Sequence, residues 1–381
     1  MLDLTGYRVV DSHCHAFLPE RETAPFELCL TLSEHPIPKR DVVSTFLYRR
    51  VIRELSRVLG VKGSGDEVVD ERNRRYRGDP VGYIRMLFAD AGIDTLLVDT
   101  GYPSDLDLED FSRIIQVDIR EIFRVETLSL ELLRRDLPFD DLIDEYIGRM
   151  EDAVKRGAVA LKTVIAYRTG LEVKRRADGE VRRAYEAFTA KAKEGVDARE
   201  IIGLKTDYVK TLLDHFVYLA AESSARLGVP FQIHVGMGDV PGIDLRLSKP
   251  SLLHDLVNDE VAGEARMVLT PGGYPRIEEA GFMVNTYPNV YLDMSQTNPF
   301  IGIGVEEKLR NLLEMAPTTK IMHGSDGYNV PELSWIAALQ AKWALERVLD
   351  DLIERDEIDE GGAQEIAEQF LSENARRIYD L

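Results

Sequence analysis

The stretch Val9-Val10-Asp11-Ser12-His13-Cys14-His15 (residues 9–15) joins a short apolar run to two histidines. Side chains alternate across a β-strand, so His13 and His15 point to one face and Cys14 points to the other. A continuous apolar run of this kind is typical of a strand that is buried on both faces of a parallel sheet. The stretch therefore predicts a buried strand that presents two imidazoles together at its carboxyl end.

Further apolar runs recur along the chain, and the segments between them are long enough for helices. With the first run they predict strands at residues 7–10, 95–98, 120–125, 159–165, 230–234, 266–269, 290–292 and 320–322. Helical patterns follow several of the runs, at residues 207–227, 331–355 and 362–379. Eight strands that alternate with helices predict an α/β protein built as a closed (β/α)8 TIM barrel, with a doubly wound open sheet as the alternative.

Two connections are too long for plain strand–helix units. They are residues 19–93, after the first strand, and residues 170–203, where we expect a turn at Asp178-Gly179. Both segments are strongly charged and helical in pattern, and neither has enough apolar residues to form its own core. We therefore expect a single distorted barrel domain over residues 1–381, with a helical insertion after the first strand and a second insertion near the barrel mouth.

The composition excludes some classes of partner. The chain has 381 residues, with 67 acidic against 47 basic side chains and a formal net charge of −20. Phosphate binding depends on Lys and Arg, so this balance argues against a nucleic acid and against an anionic membrane surface. The two cysteines, the absence of a signal-peptide pattern and the absence of a long apolar run predict a soluble cytoplasmic protein. Association into a homo-oligomer stays open.

Polar residues at three predicted strand ends point to a metal site. Besides His13 and His15, the fifth run ends in His234, and the eighth is followed by Gly-Ser-Asp with Asp326. Neutral imidazole suits Zn, Fe, Ni or Co, and a nearby carboxylate can take a proton from a water that such a metal activates. Each residue alone is also compatible with a purely structural role, as a buried histidine or a helix cap. Together, at the same end of a barrel, they favour metal binding.

Five segments carry a family resemblance, at residues 10–15, 161–171, 231–236, 287–295 and 324–326. They resemble the amidohydrolase superfamily, in its amidohydrolase-2 branch of metal-dependent TIM-barrel hydrolases. Within that branch they are similar to the amidohydrolase domain that some fungal and bacterial proteins carry beside a glutamine-synthetase-like domain. The resemblance implies one divalent metal ion, with zinc expected first and Mn, Fe, Ni or Co as alternatives. It also implies metal-site residues, namely His13, His15, His234 and Asp326, and it makes Asp326 the catalytic proton shuttle.

Two basic residues near the end of the fourth strand are candidate substrate ligands. Lys162 and Arg168 would bind a carboxylate of the substrate, so we expect a small anionic molecule. Two alternatives stay open: Lys162 corresponds to a carboxylated lysine that bridges two metals in binuclear relatives, and both residues could pair with neighbouring acids. Glu126 is a weaker pocket candidate, and Asp239, after the fifth strand, is expected to line the mouth.

The sixth strand departs from the family pattern. Related sequences usually carry a histidine at its end, but here Thr270 and Pro271 stand at that place. The departure favours a mononuclear site and weakens the case for ordinary amide hydrolysis. His323 could compensate only if the turn after its strand re-aims it.

These observations support three hypotheses about function. The first is a metal-dependent hydrolase that uses a metal-activated water on an amide or ester of a small carboxylate-bearing substrate. The second uses the same site without hydrolysis, as a lyase, a decarboxylase or a uronate-isomerase-like enzyme. The third is a catalytically silent barrel that serves as a binding module, and the retention of four candidate ligands counts against it.

Overall fold

A computed structural model describes residues 2–17, 25–103 and 107–381 of the chain. Eight parallel strands form one sheet in which each strand lies beside its neighbours in sequence. The strands are β1 (Val9–Cys14), β2 (Ile93–Asp99), β3 (Asp118–Arg124), β4 (Ala160–Thr163), β5 (Phe231–His234), β6 (Met267–Thr270), β7 (Val290–Asp293) and β8 (Ile321–Met322). The predicted α/β barrel is confirmed, and the open-sheet alternative does not describe this strand order.

The sheet closes on itself through irregular backbone contacts between β1 and the segment after β8. The amide of Ser12 donates to the carbonyl of His323 at 3.2 Å, and the amide of Asp326 donates to the carbonyl of His13 at 2.8 Å. These bonds replace a regular ladder because β8 has only two residues before the chain leaves the extended conformation. Asp326 itself has a φ of +51°. The result is a nearly closed, distorted barrel.

Helices cover the outside of the barrel and make up most of both insertions. Their bounds are α1 (Lys39–Val42), α2 (Phe46–Leu59), α3 (Gly65–Gly78), α4 (Pro80–Ala91), α5 (Leu108–Ile115), α6 (Val125–Leu133), α7 (Phe139–Lys155), α8 (Asp178–Lys193), α9 (Ala198–Gly203), α10 (Asp207–Leu227), α11 (His254–Val257), α12 (Ile277–Thr286), α13 (Thr297–Phe300), α14 (Val305–Leu313), α15 (Pro331–Glu354), α16 (Glu360–Glu368) and α17 (Asn374–Tyr379). Within the described ranges, no helix combines the length and the apolar character needed to cross a membrane.

Most element boundaries shift from the sequence predictions by one or two residues, and three differences are larger. The first strand runs over Val9–Cys14 instead of residues 7–10, because the polar residues that follow the apolar run stay extended and buried. The predicted turn at Asp178-Gly179 is wrong, since α8 begins at Asp178 and the side chain of Glu180 accepts a hydrogen bond from the amide of Ala177. The helix predicted at residues 362–379 is interrupted by a π-helical turn, Gln369–Glu373, between α16 and α17.

The first insertion packs on the barrel through an apolar face and one buried ion pair. Val51 and Leu55 of α2 and Leu87 of α4 are fully buried and belong to the same hydrophobic cluster as the barrel strands. Arg72 of α3 pairs with Glu332 of α15, with Nε 2.5 Å from Oε1 and both side chains removed from solvent. A buried pair of this kind fixes one arrangement, because either charge alone would be left uncompensated. Residues 19–24 of this insertion lie outside the described residues.

The interior of the barrel is filled by alternate residues of its strands. Val10, Leu97, Ile122 and Val268 belong to a second, smaller cluster that is closed by residues of α17, including Tyr379. This packing fills the lumen, and the cavity lies beyond it, where the strands end. The carboxyl ends of the strands are also the face at which TIM-barrel active sites are built.

Candidate active site

A cavity of about 340 Å³ opens at the carboxyl ends of the barrel strands. Its size lies at the lower end of the range for small-molecule sites. The six side chains predicted as site residues all line it, namely His13, His15, Lys162, Arg168, His234 and Asp326. The fold therefore brings together residues from β1, β4, β5 and the segment after β8 that are up to 313 positions apart in the chain.

His13, His15 and Asp326 converge at the centre of this cavity. Oδ1 of Asp326 lies 3.1 Å from Nε2 of His13 and 3.1 Å from Nε2 of His15. The preceding residue holds Asp326 in place, because Ser325 donates its amide to Oδ1 of the buried Asp11 at 2.8 Å. The two strand ends are thus locked together by backbone and side-chain hydrogen bonds at the point where the three polar groups meet.

Backbone carbonyls determine which ring nitrogen of His15 and of His234 carries a proton. Nδ1 of His15 lies 3.0 Å from the carbonyl of Tyr102, and Nε2 of His234 lies 2.7 Å from the carbonyl of Met237. A carbonyl only accepts, so these nitrogens carry a proton, which leaves Nε2 of His15 and Nδ1 of His234 as the nitrogens available to a metal. Metal-binding histidines are usually oriented in this way, by donating the other ring N–H to a carbonyl or carboxylate.

Asp99, at the end of β2, is a functional candidate that the sequence reasoning missed. One potential ligand atom from each of His13, His15 and Asp99 lies within 4.8 Å of the other two. Asp99 is fully buried and also forms an ion pair with Arg124 of β3. Burial raises the pKa of Asp99, but Arg124 and the neighbouring histidines outweigh it and hold the pKa below its usual value. The signal was present, since Leu96-Leu97-Val98-Asp99 is another apolar run that ends in a polar residue.

The donor set fits a divalent cation. Imidazole nitrogens and carboxylate oxygens are borderline donors that suit Zn and related transition metals. Burial raises the pKa of Asp326, but the charges of His13 and His15 outweigh it, and the pKa lies well below its usual value. For His15 burial lowers the pKa, while the hydrogen bond and charge of Asp326 raise it more, so the net shift is upward. A cation binding among these atoms would displace the imidazole protons.

Lys162 lies against the same cluster. Its Nζ is 3.3 Å from Nε2 of His13, and the side chain is fully buried. Burial lowers the pKa of Lys162 to about 8, and the attraction of Asp99 opposes the shift. In the described part of the chain, no acidic side chain lies within 4.0 Å of Lys162 or of Arg168. Asp99 attracts Lys162 and Glu126 attracts Arg168, but neither basic residue forms a direct ion pair among the described residues.

The sixth strand ends in a hydroxyl network. Oγ1 of Thr270 lies 2.7 Å from Oγ of Ser295, which in turn donates to Asp293. His323 is buried, with its ring 6.5 Å from that of Phe370, and it is not among the residues that line the cavity. The turn after β8 therefore aims Asp326 at the cavity and leaves His323 outside it.

Asp239 and Glu126 are two further candidates from the sequence, and only Asp239 is among the residues that line the cavity. Asp239 lines the cavity, and its amide donates a hydrogen bond to the hydroxyl oxygen of Tyr167 at 3.0 Å. Burial, followed by the nearby Asp326 carboxylate, raises the pKa of Asp239 to about 6. Glu126 lies outside the cavity lining, because its Oε1 accepts hydrogen bonds from Thr163 and from the amide of Val164. Glu126 therefore supports the turn after β4.

A comparison with protein-family models shows which family the chain belongs to. The family model for amidohydrolases matches residues 175–381, which is more than half of the sequence and includes His234 and Asp326. The chain belongs to the amidohydrolase family. The match agrees with the barrel and with the resemblance carried by the strand-end motifs.

Individual proteins are similar to this chain over nearly its whole length. Protein fluG of Emericella nidulans is 28% identical over 402 residues, an alignment that covers 98% of this chain and 46% of the fungal protein. The chain thus spans about half the length of this curated relative. Among solved structures, a Lactobacillus casei protein assigned by inference as a metal-dependent hydrolase has a TM-score of 0.84 at 23% identity, covering 100% of this chain and 98% of its own.

The fold is also similar to that of a uronate isomerase. The enzyme from Thermotoga maritima has a TM-score of 0.70 at 15% identity, and the match covers 98% of this amidohydrolase and 95% of the isomerase. At such low identity the likeness concerns the barrel and its insertions, and it does not extend to the reaction.

Proposed function

We propose that this amidohydrolase is a metal-dependent hydrolase that uses an activated water on an amide or ester of a small carboxylate-bearing substrate. The observation that carries the proposal is the position of Asp326, whose Oδ1 lies 3.1 Å from Nε2 of both His13 and His15 inside a cavity. A carboxylate and two imidazoles that share one point at the mouth of a barrel are the groups that water activation needs.

The residues that would hold the metal are His13, His15, His234 and Asp326. His15 would offer Nε2 and His234 would offer Nδ1, since the other ring nitrogen of each donates to a backbone carbonyl. Asp99 is a further potential ligand. A divalent cation in this position lowers the pKa of a water toward neutrality and polarises a carbonyl oxygen. Zinc is our first expectation because it favours nitrogen and oxygen donors in four-coordinate sites, with Mn, Fe, Ni or Co as alternatives.

Asp326 would move the proton. Its carboxylate lies at the point where a water would be activated, and there it would accept a proton from the attacking water and return it to the leaving group. Lys162, whose pKa of about 8 leaves it mostly protonated at neutral pH, would stabilise negative charge beside His13. Arg168 would hold a carboxylate of the substrate at the cavity wall.

A metal-depletion experiment tests this proposal. The purified chain would be treated with a chelator, dialysed and assayed on a panel of amide and ester substrates with and without added Zn²⁺ or Mn²⁺. We expect hydrolysis to vanish on depletion and to return with the metal. His15→Ala should lose metal and activity, while the matched control His254→Ala, at an exposed helical histidine, should keep both. Full activity in the metal-free protein would refute the proposal.

Thr270 favours a second candidate function. A hydroxyl paired with Ser295 stands at the end of β6, where a histidine that polarises a scissile carbonyl is expected for hydrolysis. The same metal site could then serve proton transfer or carbon–carbon cleavage, as in a decarboxylase or a uronate-isomerase-like reaction. Turnover in ¹⁸O-labelled water separates the two candidates, because only hydrolysis incorporates the label into the product through the bond-breaking step.

A further inference from the structure

Charged side chains of both signs face the cavity without pairing with each other. Arg168 lines it from the segment after β4, and Asp239 and Glu34 line it from the loop after β5 and from the first insertion. In the described part of the chain, none of these three side chains forms an ion pair within 4.0 Å. Arg168 and Glu34 are exposed at the cavity, and Asp239 is half-buried.

The basic side of the cavity is available to a ligand. Arg124 also lines the cavity, but its guanidinium is committed to Asp99. Glu126 is the acid that attracts Arg168, yet its Oε1 is engaged by Thr163 and Val164, and it comes no closer than 4.0 Å to the guanidinium. Arg168 therefore has donors free to bind a carboxylate, and Arg is well suited to that task because its planar donors match the two carboxylate oxygens.

Backbone hydrogen bonds join the two chain segments that carry Asp239 and Glu34. The amide of Glu34 donates to the carbonyl of Val240 at 2.9 Å, and the amide of Val240 donates to the carbonyl of Leu32 at 2.9 Å. Asp239 precedes Val240, and its amide donates to the hydroxyl oxygen of Tyr167. These contacts hold the backbone of Asp239 and of Glu34 beside the cavity that both side chains line. Two carboxylates that line one cavity repel each other unless a cation lies between or beside them.

We propose that the substrate is a zwitterion, a small molecule with a carboxylate that binds Arg168 and an ammonium group that binds Asp239 and Glu34. The inference rests on the proposed hydrolytic site and names its substrate class, so the hydrolysed bond would be an amide or ester of an amino acid. A ligand with both charges pairs with both kinds of side chain, whereas a ligand with one charge leaves the other kind unpaired. Asp239 and Arg168 are then specificity residues.

Binding of matched small molecules to the zinc-loaded chain tests the proposal. The probes are γ-aminobutyrate and δ-aminovalerate as zwitterions, butyrate and valerate as anions, and butylamine and amylamine as cations, with dissociation constants measured by calorimetry. Each set has the same carbon skeleton, and the carboxylate can contact the metal equally in the zwitterion and in the anion. We expect at least one zwitterion to bind about tenfold or more tightly than either of its singly charged analogues. Equal affinity of zwitterions and anions would overturn the proposal.

Two variants assign the charges to residues. Asp239→Asn should remove the advantage of the zwitterion over the anion, and Arg168→Gln should weaken both carboxylate-bearing probes. Asp244→Asn, in the same loop but paired with Arg246 at the surface, is the matched control and should change nothing. Loss of zinc from Asp239→Asn would place Asp239 in the metal site and would also overturn the proposal.

The outcome is distinguishable from a failure of the hydrolase proposal, because these measurements record binding and need no turnover. If zinc-dependent hydrolysis is found but zwitterions bind no better than anions, only the assignment of the substrate class is wrong. If zwitterions are preferred but no hydrolysis occurs, the reaction is wrong and the charge assignment stands.

Discussion

Oδ1 of Asp326 lies 3.1 Å from Nε2 of His15, although 311 positions separate the two residues in the chain. This contact spans the seam at which β1 meets the segment after β8, and it is supported by the bond from the amide of Asp326 to the carbonyl of His13. The closure of the barrel and the assembly of the proposed metal site are therefore one structural event. Substitutions at this seam can be used to separate chemistry from folding.

Asp326→Asn should abolish turnover without unfolding the chain. Asparagine preserves the size of the side chain and tolerates the left-handed φ of +51°, but it cannot accept and return a proton. We expect kcat to fall by about 100-fold or more, the range that general acid–base groups contribute. Steady-state kinetics and circular dichroism check the two parts of the prediction. Asp380→Asn, at an exposed residue with a similar φ of +55°, is the control, and unchanged kcat in Asp326→Asn would contradict the assigned role.

Asp99→Asn should be strongly destabilising. The substitution leaves the guanidinium of Arg124, whose side chain is 12% exposed, without its buried counter-charge. Removing one partner of a buried pair typically costs about 3–5 kcal/mol. The free energy of unfolding from urea denaturation measures the loss, and metal analysis of the same variant shows whether Asp99 is also a ligand.

The exposed pair between Asp110 and Arg113 provides the control for this prediction. Asp110→Asn removes a carboxylate 2.5 Å from its partner, but both side chains are more than 60% exposed. A surface pair contributes about 1 kcal/mol or less, so this variant should unfold at nearly the wild-type urea concentration. A loss of similar size in both variants would mean that burial of the Asp99 pair is not the cause.

Gly238→Ala should impair the site more than the fold. A Cβ at this position would lie 3.1 Å from Nε2 of His234 and would overlap the hydroxyl of Tyr167, so one of these rings must move. We expect at least a tenfold loss in kcat/KM with a small change in melting temperature. Gly148→Ala is the control, because a Cβ there meets no atom within 4 Å and the position lies inside α7. That variant should be stabilised by about 0.5–1 kcal/mol with unaltered kinetics.

Lys342 should make the chain more stable as the pH rises through 8. This residue of α15 is 4% exposed and donates to the carbonyls of Thr5 and Tyr7. Burial lowers its pKa to about 8, against the attraction of Asp90 and Glu346. Between pH 8 and the ordinary lysine value near 10.4, the unfolded chain binds more protons than the folded chain, so the free energy of unfolding increases with pH. The upper limit of the slope is about 1.4 kcal/mol per pH unit.

Lys342→Met should remove that increase. The difference in free energy of unfolding between wild type and this variant is expected to grow from pH 8 to pH 10, measured by urea denaturation at several pH values. Lys62→Met, at an exposed position, should leave the wild-type pH profile unchanged. A difference that stays constant over this pH interval would contradict the shifted pKa of Lys342.

Much of the fold could be predicted from local sequence. All eight barrel strands were located because strands buried on both faces are continuous apolar runs bounded by turns. Their ends were less certain, as the first strand illustrates, since Ser12 and His13 are polar but extended and buried. Hydropathy cannot identify a buried polar residue in a strand, because its burial depends on partners that come from distant parts of the chain.

The candidate site was predicted only in part, for a related reason. His13, His15, His234 and Asp326 were selected because each stands at the end of an apolar run, and Asp99 satisfies the same rule but was passed over. The role of Arg124 could not be predicted, since its commitment to Asp99 depends on the register of β2 and β3. The cytoplasmic location and a homo-oligomeric state stay predictions.

By itself, the sequence determined the strand–helix alternation, the end of the barrel at which chemistry would lie, and the acidic surface implied by a net charge of −20. Only the tertiary structure decided which charges in the cavity are neutralised and which are left for a ligand. Arg124 and Arg168 are equally basic in the sequence, but Asp99 lies against the first and no acid lies within 4.0 Å of the second in the described residues. The physical reason is that ion pairing depends on distances of a few ångströms between residues far apart in the chain, which closure of the barrel fixes.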